Sequence, residues 1–230
     1  MNQEILNIFT KNSDYQKRLN TSDKYRKLDK ELFLSWFGHH AKEHMNGKGK
    51  YMNKENYKIL ETLFGYFCGD ENFNKHGIVK GNASIEKGLY IYGSVGTGKT
   101  TFFELLKKTG NSLYEKGFQT DLTFRNISCG NFVQLFMSSQ KHDNLSLDLK
   151  LYYKNRLYID DLGVEQLCFN SYELIGDILF ERYRNNARTW ITTNLTIAQF
   201  AERYGKRLED RFQEMFNVIE WSGKSFRDEM

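Results

Sequence analysis

Gly93-Ser94-Val95-Gly96-Thr97-Gly98-Lys99-Thr100 sets three glycines, a lysine and a hydroxyl at the spacing G-x-x-x-x-G-K-[ST]. That spacing suits one kind of ligand, a nucleoside triphosphate. Glycines let backbone N–H groups converge on phosphate oxygens with no Cβ in the way. Lys99 would reach the β- and γ-phosphates, Thr100 would ligate Mg²⁺, and Thr101 follows in the first turn beyond the loop. A second acidic stretch, Arg156-Leu157-Tyr158-Ile159-Asp160-Asp161-Leu162-Gly163, ends an apolar run in two carboxylates. Asp160 is placed to hold the Mg²⁺ shell and Asp161 to act as general base toward an attacking water.

Two further stretches carry polar groups that such chemistry uses. Trp190-Ile191-Thr192-Thr193-Asn194 ends an apolar run on an amide. Asn194 could bond the γ-phosphate or the water, or it could cap the helix that follows. Gly205-Lys206-Arg207-Leu208-Glu209-Asp210-Arg211-Phe212 sets Arg207 and Arg211 on one helix face. An arginine offered to a neighbour's γ-phosphate stabilises the charge of phosphoryl transfer. Spacing alone favours a solvated pair among acids instead. Arg227, near the end of the chain, could act on the same phosphates in cis.

The elements that must hold these residues alternate from residue 88 onward, which predicts a parallel sheet between helices. Strands are expected over Gly88–Tyr92, Asp121–Ile127, Leu157–Ile159, Thr189–Thr193 and Val218–Trp221. Helices are expected over Thr100–Lys116, Asn131–Ser138, Tyr172–Asn185, Ile197–Tyr204 and Lys206–Phe216. Upstream, Leu32–His44 and Asn56–Cys68 have helical spacing, Gly47–Lys50 breaks them apart, and Gly69–Lys87 reads as a connecting loop. Two domains follow: a helical N-terminal extension over residues 1–85 and an ATPase domain over 86–230.

Charge supports that division. Residues 1–50 hold ten basic and six acidic side chains, while the other 180 hold 23 of each. A mildly basic arm suits nucleic acid or an acidic protein face, and equally a solvated extension. Three cysteines far apart suit reduced thiols in a cytoplasm. No apolar run reaches 18 residues, so no membrane partner is expected. His39, His40 and His44 include an i,i+4 pair that could bind a metal, but with no carboxylate or cysteine at ligand spacing they are read as solvated or helix-packing. Trp36, Phe37, Phe64 and Phe67 are read as core or partner-groove anchors rather than base-stacking platforms.

Together the four stretches, with Trp221 to Arg227, resemble the AAA+ ATPases. More narrowly they resemble bacterial helicase loaders of DnaC type and transposition-helper ATPases of IstB type, over roughly residues 86–227. The resemblance implies an α/β P-loop NTPase core of three layers, with a parallel sheet and a reduced lid. It moves Arg211 from a solvated pair to the arginine finger and makes Arg227 the second sensor. It implies an ATPase that uses ATP and Mg²⁺, assembles with itself or in a mixed ring, and loads or remodels a replicative DNA helicase on single-stranded DNA. The alternatives are a transposition helper on duplex DNA, or an ATP-switched binding module with little turnover. Asp161 departs from the glutamate common at that position, which implies slow hydrolysis.

Overall fold

The computed structural model describes residues 26–27, 30–46, 51–120, 122–140 and 147–225. In chain order these form β1 (Arg26–Lys27), α1 (Lys30–His44), α2 (Tyr57–Phe67), β2 (Val79–Lys80), β3 (Gly88–Tyr92) and α3 (Lys99–Glu115). Next come β4 (Phe118–Gln119), β5 (Arg125–Ser128), α4 (Cys129–Ser139), a 3₁₀ turn (Leu149–Tyr152), β6 (Leu157–Leu162) and α5 (Leu174–Arg184). The last four are β7 (Thr189–Thr193), α6 (Ile197–Tyr204), α7 (Lys206–Met215) and β8 (Phe216–Glu220). No helix follows β8 among the described residues. Among the described residues no helix is long and apolar enough to cross a membrane.

The described residues cluster as two compact units. The first draws on the described residues up to Ile78 and on those of Thr100–Thr123, the second on those of Val79–Lys99 and Phe124–Ser225. Aromatic rings hold the first unit together. Phe37 meets Phe64 at 4.9 Å between centroids and Phe102 at 5.5 Å, and Phe67 lies 5.9 Å from Phe102. The face of α1 bearing Phe33 and Phe37 is thus buried against α2 and α3. His40 Nε2 lies 3.0 Å from the Ser112 hydroxyl, and both His39 and His40 face Glu43. The phenylalanine rings pack these helices together, and Glu43 sets a carboxylate beside His39 and His40.

The second unit is built on a six-stranded sheet in the order β2-β8-β3-β7-β6-β5. Every neighbour pair is parallel except β2 with β8. Its core strands read as short apolar runs, because a parallel sheet buried on both faces needs no alternation. Leu89, Tyr90 and Ile91 on β3, and Leu157, Tyr158 and Ile159 on β6, are all buried. Two expectations are corrected here. The strand expected over Asp121–Ile127 is only Arg125–Ser128, because the Leu122 N–H turns back to the Thr120 hydroxyl and ends any extended run before it. The loop expected over Gly69–Lys87 contains β2, a two-residue edge strand too short to show a period.

Arg182 is a structural anchor that no spacing rule singles out. It is fully buried on α5, and each of its five N–H donors has an oxygen partner. Nε donates to the Thr189 hydroxyl at 2.7 Å; Nη1 donates to the Tyr152 and Lys154 carbonyls, and Nη2 to those of Asn155 and Arg188. Burial lowers its pKa to about 9, so it remains charged at neutral pH. Arg182→Ala removes a donor from four carbonyls and a hydroxyl, although the Arg188 carbonyl keeps the Leu157 N–H and the Thr189 hydroxyl keeps Ala187 O. A buried acceptor left without any partner costs about 1–3 kcal/mol, against a total stability of roughly 5–15 kcal/mol for an ordinary domain. The urea midpoint of the Arg182→Ala protein is expected to fall steeply, to the edge of folding. A midpoint within experimental error of the parent would contradict the anchor.

Candidate functional site

The loop Gly93–Gly98 joins β3 to the first turn of α3, where Thr100 and Thr101 lie. Three of its residues have left-handed backbone: Gly93 at φ 143°, Gly96 at φ 81° and Gly98 at φ 94°. Two also have no room for a side chain. A Cβ on Gly93 would fall 2.2 Å from the Trp221 carbonyl oxygen, and one on Gly96 would fall 2.3 Å from Ser225 Oγ. The chain beyond β8 therefore lies against the loop. The Trp221 N–H donates to the Tyr92 carbonyl at 2.7 Å, and the buried Thr97 hydroxyl donates to Ser94 O. Ser94 and Val95 complete the loop, with Val95 exposed.

Lys99 is the charged centre of this site and only 7% exposed. Its ammonium donates to the carbonyls of Gly93 at 3.0 Å and Ser94 at 2.6 Å, and lies 3.4 Å from Asn194 Oδ1. Burial lowers its pKa, while Asp161 and Asp160 work in the opposite direction. The site thus gathers a desolvated cation, an amide and two carboxylates. Asn194 is not the helix cap: Thr196 caps α6, in a reciprocal pair with Gln199. Asn194 is left facing Lys99.

The two acids sit where β6 breaks register. Ile159 pairs with Ile191 and Leu162 with Thr193, so Asp160 and Asp161 together oppose the single residue Thr192. An extra residue in a strand bends it and re-aims side chains. Asp161 takes φ 52°, an uncommon conformation for a residue with a Cβ. Asp160 accepts hydrogen bonds from the Tyr158 hydroxyl at 2.6 Å and the Thr192 hydroxyl at 2.5 Å. It is held firmly, while Asp161 is exposed.

Beyond the acids the chain turns at once. The Val164 N–H donates to Asp161 O, with Gly163 at φ 99° inside the turn. A buried group that spacing did not single out sits behind it. Glu165 accepts from the Gly163 N–H at 2.8 Å and from the Tyr204 hydroxyl at 2.5 Å, and pairs with Arg203 at 3.1 Å. The only sequence signal was an acid two residues past a glycine, which is common on surfaces.

Arg211 lies on α7 and is 47% exposed on its side chain, 3.6 Å from Glu214 and over the Tyr183 ring at 5.5 Å. Arg207 lies 3.2 Å over the Phe180 ring. The two arginines therefore share one face, against aromatic rings of α5, and their partners include none of the loop or the acids. Arg227 lies outside the described residues.

The residues suit a nucleotide and a divalent cation. The loop is forced into a cradle by its glycines, Lys99 offers a buried ammonium, and Asp160 is fixed by two hydroxyls. Comparison with known proteins reaches the same fold. No protein-family model matches the chain and no curated protein does. Among solved structures, a DnaC helicase loader aligns over 79% of this chain and 99% of its own, at 25% identity and a TM-score of 0.50. A primosome component of Streptococcus pyogenes serotype M3 aligns over 88% and 94%, at 17% identity and 0.50. The structure described as DnaI aligns over 87% and 96%, at 20% identity and 0.47. The chain has the fold of a P-loop NTPase of AAA+ type, and in structure it resembles the DnaC-type helicase loaders.

Proposed function

We propose that the chain is an AAA+ ATPase that loads or remodels a replicative DNA helicase on single-stranded DNA. One observation carries the chemical half. The bulge in β6 turns Asp161 out beside Asp160, while Lys99 and Asn194 face one another in the same unit. The likeness to a DnaC loader over nearly all of that structure supports the biological half.

In this reading the backbone N–H groups of Gly93–Gly98 and the Lys99 ammonium hold the β- and γ-phosphates of ATP. Thr100 and Asp160 would hold Mg²⁺, which neutralises phosphate charge when bound. Asp161 accepts the proton of the water that attacks the γ-phosphorus, and the bond to the ADP oxygen breaks. Asn194 orients that water or the γ-phosphate. Arg211 is offered to a neighbouring copy's nucleotide, so assembly and hydrolysis are coupled. Arg227 acts as second sensor in cis, and the mildly basic residues 1–85 form the arm that meets the helicase. Such a protein works in the cytoplasm.

A pull-down from the native host with Asp161→Asn protein and ATP tests the biological half, because loss of the base traps the bound state. A hexameric replicative helicase in the eluate is the expected result. A transposase, or duplex DNA with no helicase, would replace the loader reading with the transposition-helper one.

A further inference from the structure

The turn that carries Asp161 is gripped from α6 by a single side chain. Arg203 Nη1 donates to the Gly163 carbonyl at 2.8 Å, and Nη2 donates to the Glu165 carbonyl at 2.5 Å. Glu165, whose side chain has no exposure at all, closes the ring from below by accepting the Gly163 N–H. Both backbone polar groups of Gly163 are therefore bonded to one ion pair. Leu162 is held next door, its carbonyl accepting from the Thr193 hydroxyl at 2.6 Å.

Holding a loop with an ion pair is costly where a charge loses its water, as the buried Glu165 does, while Arg203 stays about a quarter exposed. The Arg203 guanidinium reaches the Gly163 carbonyl, the Glu165 carbonyl and the Glu165 carboxylate together. Burial works against the Arg203 charge, while Tyr204, Glu165 and Glu173 beside it hold its pKa above the usual value. Glu173 lies 3.7 Å from Arg203 Nε. The cation is thus kept charged in a place where a neutral donor could not make all three contacts.

What the grip restrains is a strained residue. Asp161 needs φ 52°, and such a conformation persists only when its surroundings over-determine it. Resting on the proposed ATPase function, we infer that Arg203 and Glu165 are positioning residues that hold the Asp161 carboxylate in line with the water it activates. Arg203 also stands two residues before Gly205, where the chain turns at φ 83° into α7 and toward Arg211.

The test uses the full chain and separates positioning from folding. Turnover, affinity for a fluorescent ATP analogue and melting temperature are measured for the parent, Arg203→Ala, Arg203→Lys and Glu165→Gln. Arg203→Ala is expected to lower kcat by roughly 10²-fold, the size of effect that an ångström of misplacement produces. Nucleotide affinity should stay within about twofold, since Lys99 and its loop are untouched. Arg203→Lys should not restore turnover, because one ammonium cannot span both carbonyls. Added guanidine at millimolar concentration should restore part of it in Arg203→Ala, because the site is partly open to solvent. Should Arg203→Ala fail to fold, Glu165→Gln, which keeps an acceptor for the Gly163 N–H, must show the same split between kcat and affinity. Unchanged kcat in the folded variants, or kcat and affinity falling together, overturns the inference. A parent protein that binds the analogue but hydrolyses nothing overturns the ATPase reading itself, and the inference with it.

Discussion

Lys99→Ala protein is expected to lose MgATP affinity by roughly 10²-fold or more while folding as well as the parent. A hydrogen bond to a charged group contributes about 1.5–3 kcal/mol, and here the ammonium meets several phosphate oxygens at once. Its position makes the exchange plain. Lys99 spends its donors on the Gly93 and Ser94 carbonyls, both parts of the loop that would close on phosphate. Moving them to a polyanion replaces neutral acceptors with charged ones, in a place where burial has already removed water. Removing a desolvated cation is not expected to lower the melting temperature without nucleotide. The measurement is therefore the rise in melting temperature on adding MgATP, which grows with ligand over dissociation constant. The parent should show it and Lys99→Ala should not. An equal rise in both would end the assignment of the loop to phosphate.

Arg211→Ala is expected to bind nucleotide normally and to hydrolyse it about 10³-fold more slowly, the lower end of what arginine fingers supply. The side chain is free to take that role. Its ion pair with Glu214 is long and exposed, worth about 0–1 kcal/mol, so a neighbour's phosphates can draw it away at little cost. Both Arg207 and Arg211 lean on aromatic rings of α5, which keeps the arginine face of α7 ordered before any partner arrives. A mixing experiment checks that the residue works across subunits. Arg211→Ala supplies an intact Asp161, and Asp161→Asn supplies an intact Arg211. Two inactive proteins that together regain turnover place the two residues on different copies. No recovery, in a mixture that still assembles, would return Arg211 to an ordinary surface pair.

The parts of this site that were readable in the chain are those whose cause is local. Gly88–Tyr92, Thr189–Thr193 and Ile197–Tyr204 have the bounds that their patterns suggested, because short apolar runs and helical spacing act within a few residues. The P-loop was legible for a stronger reason: its glycines are required by the backbone conformation itself. Asn194 shows where local reasoning stops. A helix cap and a γ-phosphate contact both fit its place in the chain. Only the tertiary structure removes the cap reading, by capping α6 with Thr196, and brings Asn194 beside Lys99 across 95 positions.

What the sequence by itself determined was the glycine-rich loop, the strand–loop–helix unit that bears it, and the acids at the end of an apolar strand. Those follow from residue type and near-neighbour geometry. Tertiary structure alone decided how the acids are aimed, since a bulge exists only against a partner strand and Thr192 belongs to another segment. It alone paired Glu165 with Arg203, 38 residues apart, and surrounded Arg182 with carbonyls drawn from two separate stretches of chain. It also drew the helix after the P-loop into one aromatic core with α1 and α2, through Phe102. An extension that charge and spacing marked as separate thus shares a core with that helix. Such contacts depend on distance in space, and a linear pattern carries no measure of that distance.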